Sequence, residues 1–302
     1  MIGVLAVLHK ALPNRSKTMG KIIKRVLVFI IGVPAFVFVI NYLPYINHLT
    51  FNVVVIVFST LGAVEFADIL GKKQLRVSKT EAVIFGSFMP LAFTLIICFD
   101  FPEWIIPLFI MAGASWVIIS LAFSNQANMG NVINRLTGCF SVIIYPGMFM
   151  AWIVKMSTWQ ISGAILLFML ISFSNDSAAW LAGTLFGAKN KGIFAASPNK
   201  SIAGYIGGLA GAVGTVLLAA KFTPAVFQEN INLTKVIILG VVTAIFGNLG
   251  DLAESAIKRS ADVKDSGNLM LGRGGILDSI DSLTLAAPVY FLLFNIFFII
   301  PR

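Results

Sequence analysis

Nine apolar runs, at about 25–45, 49–70, 82–99, 103–123, 136–154, 161–187, 202–220, 236–257 and 282–301, divide a chain of 302 residues. Each is close to the roughly 20 residues that an α-helix needs to cross the hydrocarbon core of a bilayer. A closed barrel would instead need segments of roughly ten residues with alternating polarity, and these runs do not alternate. Composition agrees, with 58% hydrophobic and 12% charged residues against about 45–50% apolar and 25% charged in soluble domains. The expectation is an all-α, polytopic integral membrane protein of about nine transmembrane helices with a cytoplasmic N-terminus. Three regions are expected: a basic cytoplasmic arm at 1–24, N-terminal transmembrane helices at 25–155, and a C-terminal catalytic transmembrane region with cytoplasmic loops at 156–302.

Charge sets the orientation. With the N-terminus inside, the inner segments hold 18 of the 22 Lys and Arg residues, and only Lys155, Lys221, Lys235 and Arg302 lie outside. Basic residues retained on the cytoplasmic side fix topology, so the net charge of +9 is first a topological signal. Binding to nucleic acid is not expected, because the aromatic residues belong to the spans and do not interleave with the basic ones. Cys98 and Cys139 both sit within apolar runs and have neither disulfide nor metal-ligand spacing. The short chain without a recognisable targeting segment suggests a prokaryotic inner membrane.

The acids are more informative. Of 13, Asp100, Glu103 and Glu229 fall outside and Glu81, Asp262 and Asp265 fall in inner loops. The remaining seven, Glu65, Asp68, Asp176, Asp251, Glu254, Asp278 and Asp281, lie in or at the edge of spans, all toward the cytoplasmic face. A carboxylate near the bilayer centre costs about 2.5–3.5 kcal/mol on insertion scales, so these groups must share a hydrated cavity, cations, or both. Glu65 and Asp68, Asp251 and Glu254, and Asp278 and Asp281 are each spaced i, i+3, so each pair can project from one helical face. Hard divalent cations relieve the repulsion within such pairs, and Mg²⁺ is typically held by one or two carboxylates together with substrate phosphates. The alternative is that Asp278 and Asp281 cap the start of the last helix, and water at the interface could satisfy Glu65 and Asp68.

The inner loops bring the opposite sign. Lys258 and Arg259 lead through Lys264 and Asp265 to Gly272, Arg273, Gly274 and Gly275, just before Asp278. Arg and Lys bind phosphates, and glycines let backbone N–H groups approach anions closely. The loop with Ser197, Pro198, Asn199, Lys200 and Ser201 adds hydroxyls and a lysine on the same face. Acids for a metal and cations for phosphates at one interface suggest phosphoryl-transfer chemistry on a lipid, which asks for positioning and charge neutralisation above all. No P-loop sequence exists, and His9 and His48 lie away from the acids.

At these residues the chain resembles a known family. Lys258-Arg259, Lys264-Asp265 and Gly274-Gly275-Ile-Leu-Asp278-Ser-Ile-Asp281 are similar to the C-terminal signature of phosphatidate cytidylyltransferases, or CDP-diacylglycerol synthases. Gly250-Asp251-Leu252 with Glu254-Ser255, Asn175-Asp176, and Ser197-Pro198-x-Lys200-Ser201 before Gly204 look like its other motifs. The likeness is close over roughly 170–285; the first half agrees mainly in its pattern of spans and in Glu65. It implies a Mg²⁺-dependent transfer of CMP from CTP to phosphatidic acid, giving CDP-diacylglycerol and pyrophosphate. On that model Asp251, Asp278, Asp281 and Glu254 are the metal ligands, with Asn175 and Asp176 nearby. Lys258, Arg259, Lys264 and Arg273 neutralise the triphosphate or the lipid phosphate, and Ser197, Lys200 and Ser201 line the substrate entrance. Membrane lipids, and a second copy of the chain in a homodimer, are the further partners it allows. Arg273 stands where the family usually has His, Ser279 where it has Arg, Met270-Leu271 where Ile-Pro is common, and Ala203 where Glu is common.

Two other readings compete. Intramembrane carboxylates also mark the ion pathways of cation-coupled transporters, although transport needs acids reachable from both faces and these gather toward one. A related transferase acting on another lipid or nucleotide would share the same motifs. Gly204, Gly207, Gly208, Gly211 and Gly214 have the spacing of a helix-packing face more than of a substrate site, and Pro34, Pro90, Pro107 and Pro146 suggest kinks or helix starts.

Overall fold

A computed structural model describes residues 31–123, 130–228, 231–270 and 274–299. Every element among them is helical: α1 (Ile31–Tyr42), α2 (Tyr45–Gly71), α3 (Lys79–Phe99), α4 (Ile105–Ala122), α5 (Val132–Trp159), α6 (Ser162–Phe186), α7 (Ile202–Phe222), α8 (Leu233–Ser260) and α9 (Leu277–Phe298). Eight of them, α2 to α9, are long and apolar enough to cross a membrane. The chain is thus an all-α polytopic membrane protein. Of the first expected span, α1 is the part that falls within the described residues; residues 25–30 lie outside them. The basic arm at 1–24 lies outside the described residues, as does Arg273.

Helices adjacent in sequence pair as hairpins, most extensively α6 with α7, then α2 with α3 and α8 with α9. Small residues make these seams possible, because in lipid the helices are held by close packing and not by expulsion of water. A side chain at Gly207 or Gly211 would collide with Ala182 or Ala178 of α6, and one at Gly208 would press on Asn175. The expectation that this stripe serves packing is met at these positions, whereas Gly214 faces open space.

Pro90 is carried within α3, and Pro146 sits in a π turn, Ile143–Met148, that interrupts α5. A proline cannot donate the next helical hydrogen bond, and a wider turn is one way to absorb the loss. The Ser59 hydroxyl of α2 lies 2.6 Å from the Pro146 carbonyl and 2.7 Å from that of Gly86, a polar tie across three helices.

One acid lies elsewhere than its sequence position suggests. Glu81, expected in an inner loop, is buried in the first turn of α3. There it forms a reciprocal cap with Ser78, accepts a hydrogen bond from the Trp116 indole (3.2 Å) and pairs with Arg135 (2.6 Å). The ion pair clamps the starts of α3 and α5, with Trp116 of α4 between them.

At the opposite end of these helices, Trp159 packs on Phe291 and Phe294 of α9 and donates its indole N–H to Asn295 (2.9 Å). The bundle is therefore cemented by aromatic rings at one end and by charged groups at the other.

The α6–α7 seam yields a direct contrast. Gly211→Leu, which must push Ala178 or the α6 backbone aside, is expected to destabilise the detergent-solubilised protein by about 1–3 kcal/mol. Gly214→Ala, with room for the methyl group, should shift stability by less than about 0.5 kcal/mol. Thermal unfolding of the two variants checks the pair.

Candidate active site

The acids toward the ends of α2 and α8 and at the start of α9 meet at one end of the bundle, and α6 and the α6–α7 loop join them. The start of α9 organises them. A helix leaves its first N–H groups without partners and carries partial positive charge there. In α9 these groups are served by residues distant in the chain. Glu65, buried on α2, accepts hydrogen bonds from the amides of Ile276 (3.1 Å) and Leu277 (2.9 Å). The Asp278 carboxylate folds back to accept from the amides of Gly275 (2.7 Å) and Ser266 (2.8 Å) through one oxygen. The Ser266 hydroxyl lies 2.9 Å from Glu65 and 3.0 Å from Asp278, and it accepts from the amide of Asp278 (3.2 Å).

Glycines allow this convergence. Gly274 has φ of +106°, which L side chains rarely adopt, and a Cβ there would strike the Asp278 carboxylate. At Gly267 or Gly275 a Cβ would overlap Glu65. The glycines expected to cradle an anion therefore cradle the protein's own carboxylates.

The other Asp278 oxygen pairs with the Lys258 ammonium, which also pairs with Glu254, one turn earlier on α8. Lys258, Glu254 and Asp278 are nearly inaccessible, with side-chain exposures of 9%, 1% and 8%. A single lysine thus bridges α8 and α9 by holding one acid from each. Beside it, Lys200 of the α6–α7 loop reaches Asp251 at 2.6 Å, and the Ser255 hydroxyl lies 3.4 Å from the same carboxylate. Asp281, also buried, accepts from the amide of Ser282 and lies within electrostatic reach of Asp251, Glu254 and Asp176. Asn175 donates to Asn248 of α8 (2.9 Å) and approaches Asp176 (3.4 Å), locking α6 to α8 behind the acids.

Several expected residues stand apart from this centre. Arg259 is exposed and donates to the Val263 carbonyl (2.9 Å). Lys264 and Asp265 are exposed. Ser201 caps α7, accepting from the Gly204 amide (3.1 Å). Ser197 is half-buried in the loop that carries Lys200. Glu65 and Asp68 do not act as a pair: Asp68 is exposed and only loosely opposes Lys79, at 4.0 Å. Sequence reasoning missed Ser266 and Asn248, which are single polar residues without a pattern of their own. Ser266 follows the Lys264-Asp265 motif directly, and that adjacency was the only available signal.

The donor chemistry can be tested against Mg²⁺. Asp251, Glu254, Asp278 and Asp281 offer hard oxygen atoms, and among the described residues the cations paired with them are Lys200 and Lys258, so negative charge is in excess among those residues. Among the described residues no three acids stand close enough to hold a metal by themselves. A divalent cation would complete its shell with substrate oxygens, which is the usual habit of Mg²⁺. The residues fit a metal shared with a phosphate substrate, and they do not form a closed protein cage.

Removing one partner of a buried ion pair strands the other charge. Lys258→Met is expected to lower stability by about 3–5 kcal/mol, while Lys264→Met at the exposed loop leaves the unfolding midpoint unchanged. Thermal unfolding in detergent separates the two.

Comparison with known proteins places this arrangement in a lineage. The model of the cytidylyltransferase family matches residues 23–297. The chain is 37% identical over 153 residues to the phosphatidate cytidylyltransferase of Bacillus subtilis, covering 50% of this chain and 55% of that protein. It is 41% identical over 126 residues to the phosphatidate cytidylyltransferase of Haemophilus influenzae, covering 42% and 43%. It is also 38% identical over 144 residues to an Escherichia coli protein named only as uncharacterized protein YnbB, covering 47% and 46%. The chain spans about half the length of these relatives. The family match extends over most of the described helices, including those that carry Glu65, Asp251, Lys258 and Asp278, and over the loop that carries Lys200, and the chain belongs to the cytidylyltransferase family.

Proposed function

We propose that the protein transfers CMP from CTP to phosphatidic acid, forming CDP-diacylglycerol and releasing pyrophosphate. The observation that carries this reading is the array in which buried Lys258 joins Glu254 to Asp278 while the partly exposed Lys200 rests on Asp251. Membership of the cytidylyltransferase family and the names of the relatives support it.

In this reaction an oxygen of the lipid phosphate forms a bond to the α-phosphorus of CTP as the bond to the β-phosphate oxygen breaks. Both reactants are anionic, so they must be brought together against repulsion, and positioning with charge neutralisation supplies most of the catalysis. Lys200, on a loop and 24% exposed at its side chain, can swing from Asp251 to a phosphate. Lys258, pinned on both sides, is the fixed cation. Asp251, Asp278, Asp281 and Glu254 are the residues that would hold Mg²⁺, which when bound neutralises phosphate charge and orients the triphosphate. The charged end of the bundle faces the cytoplasm on this reading, where CTP is available, and the apolar helix faces admit the lipid from the bilayer side.

Purified protein in mixed micelles with CTP, Mg²⁺ and phosphatidic acid is expected to release pyrophosphate, and chelation of divalent cations with EDTA to stop the release. A folded, monodisperse preparation that turns over no CTP with phosphatidic acid would overturn the assignment, and a panel of other nucleotides and lipids would then find the true pair. Asp278→Asn should abolish turnover. Lys200→Met should lower kcat by about 10²-fold, the usual cost of deleting one charge-stabilising donor, with CDP-diacylglycerol formation as the readout.

A further inference from the structure

We infer that Glu65 and Ser266 are positioning residues that together form a clasp aiming Asp278 into the active site. The inference rests on the cytidylyl-transfer reading, and its structural half can be tested without that activity.

Asp278 has two carboxylate oxygens with separate tasks. One is absorbed by the Ser266 amide at 2.8 Å, the Gly275 amide at 2.7 Å and the Ser266 hydroxyl at 3.0 Å; the other faces Lys258. The direction of the second is fixed by how firmly the first is held. That hold comes from Ser266 and Gly275, and Glu65 anchors the chain beside both. This carboxylate is nine-tenths buried and belongs to α2, 201 residues from Ser266 and 211 from Ile276. It receives the Ile276 and Leu277 amides and lies 2.9 Å from the Ser266 hydroxyl, while Gly267 and Gly275 close over it so tightly that neither position has room for a methyl group.

Glu65 is in no ion pair with a lysine among the described residues and is buried; it acts through the backbone that presents Asp278. Ser266 is the joint. Its hydroxyl has one proton and two carboxylate neighbours, so it donates to Glu65 or to Asp278 while accepting from the Asp278 amide. Outer partners of this kind orient a reactive carboxylate, and their loss commonly costs 10–100-fold in activity or metal affinity.

The test uses the full-length protein with Glu65→Gln, Ser266→Ala and Ser266→Thr. Gln keeps the shape of Glu65 but turns an amide donor toward backbone donors; Ala removes the hydroxyl and Thr restores it. The expected result is a fall in kcat of about 10- to 100-fold for Glu65→Gln and Ser266→Ala, with KM for CTP changed less than about threefold, and recovery of most of the activity in Ser266→Thr. Amide hydrogen exchange should quicken in peptides covering 266–278 of the two impaired variants and stay unchanged around Trp159. Unaltered exchange in 266–278 would refute the clasp even in a preparation without transferase activity. Quickened exchange with full kcat would refute the positioning role, as would a Ser266→Thr protein no better than Ser266→Ala. If Glu65→Gln fails to fold, the Ser266 pair decides alone.

Discussion

Negative charge buried at one end of an apolar bundle is the constraint around which the chain is arranged. Four of the carboxylates there are held by three kinds of partner: helix-start amides, a shared lysine and a loop lysine. Glu65 is held by the first amides of α9, Asp278 by amides and Lys258, Glu254 by the same lysine, and Asp251 by Lys200. These devices come from α2, α8, α9 and the α6–α7 loop, so the helices cannot shift independently without exposing a charge to a medium that does not solvate it. The seams of small residues then act as the complement: Gly207, Gly208 and Gly211 bring α7 against α6, the helix that carries Asn175 and Asp176 to the acids.

Family membership and the geometry point to the same chemistry from different directions. The cytidylyltransferase model spans 23–297, so it covers the apolar first half as well as the motif-rich second half. The participation of α2 gives a physical reason for that extent, since the C-terminal motifs alone do not supply the acceptor for α9. Among the described residues, carboxylates outnumber the lysines paired with them before any phosphate arrives. This is the condition under which a divalent cation and a phosphate substrate favour each other's binding.

Much of this was legible in the sequence. The apolar runs gave eight crossing helices close to their expected places, because length and hydropathy decide that question with little help from tertiary contacts. The gathering of Asp251, Glu254, Asp278 and Lys258 followed from helical spacing and from the alternation of successive spans. Direction was harder. Arg259 is one residue from Lys258 and so about 100° around α8, which turns it to the outside, and a count of basic residues does not register that angle. Glu81 looked like part of a polar loop, although Ser78-x-x-Glu81 is a helix-start pattern that would have moved it into α3. Ser266 and the contact of Glu65 with α9 depend on a fold that joins residues about 200 apart, and no local pattern encodes such a pairing.

The reach of Glu65 across the chain bears on how the protein can be divided. A fragment comprising only the motif-rich half would contain the familiar catalytic-looking residues and still leave the opening amides of its final helix without the acceptor that Glu65 supplies. The first half is thus more than an anchor in the bilayer: it contributes an electrostatic keystone, and co-expressed halves would have to reassociate across that single carboxylate before the second half could take its working shape.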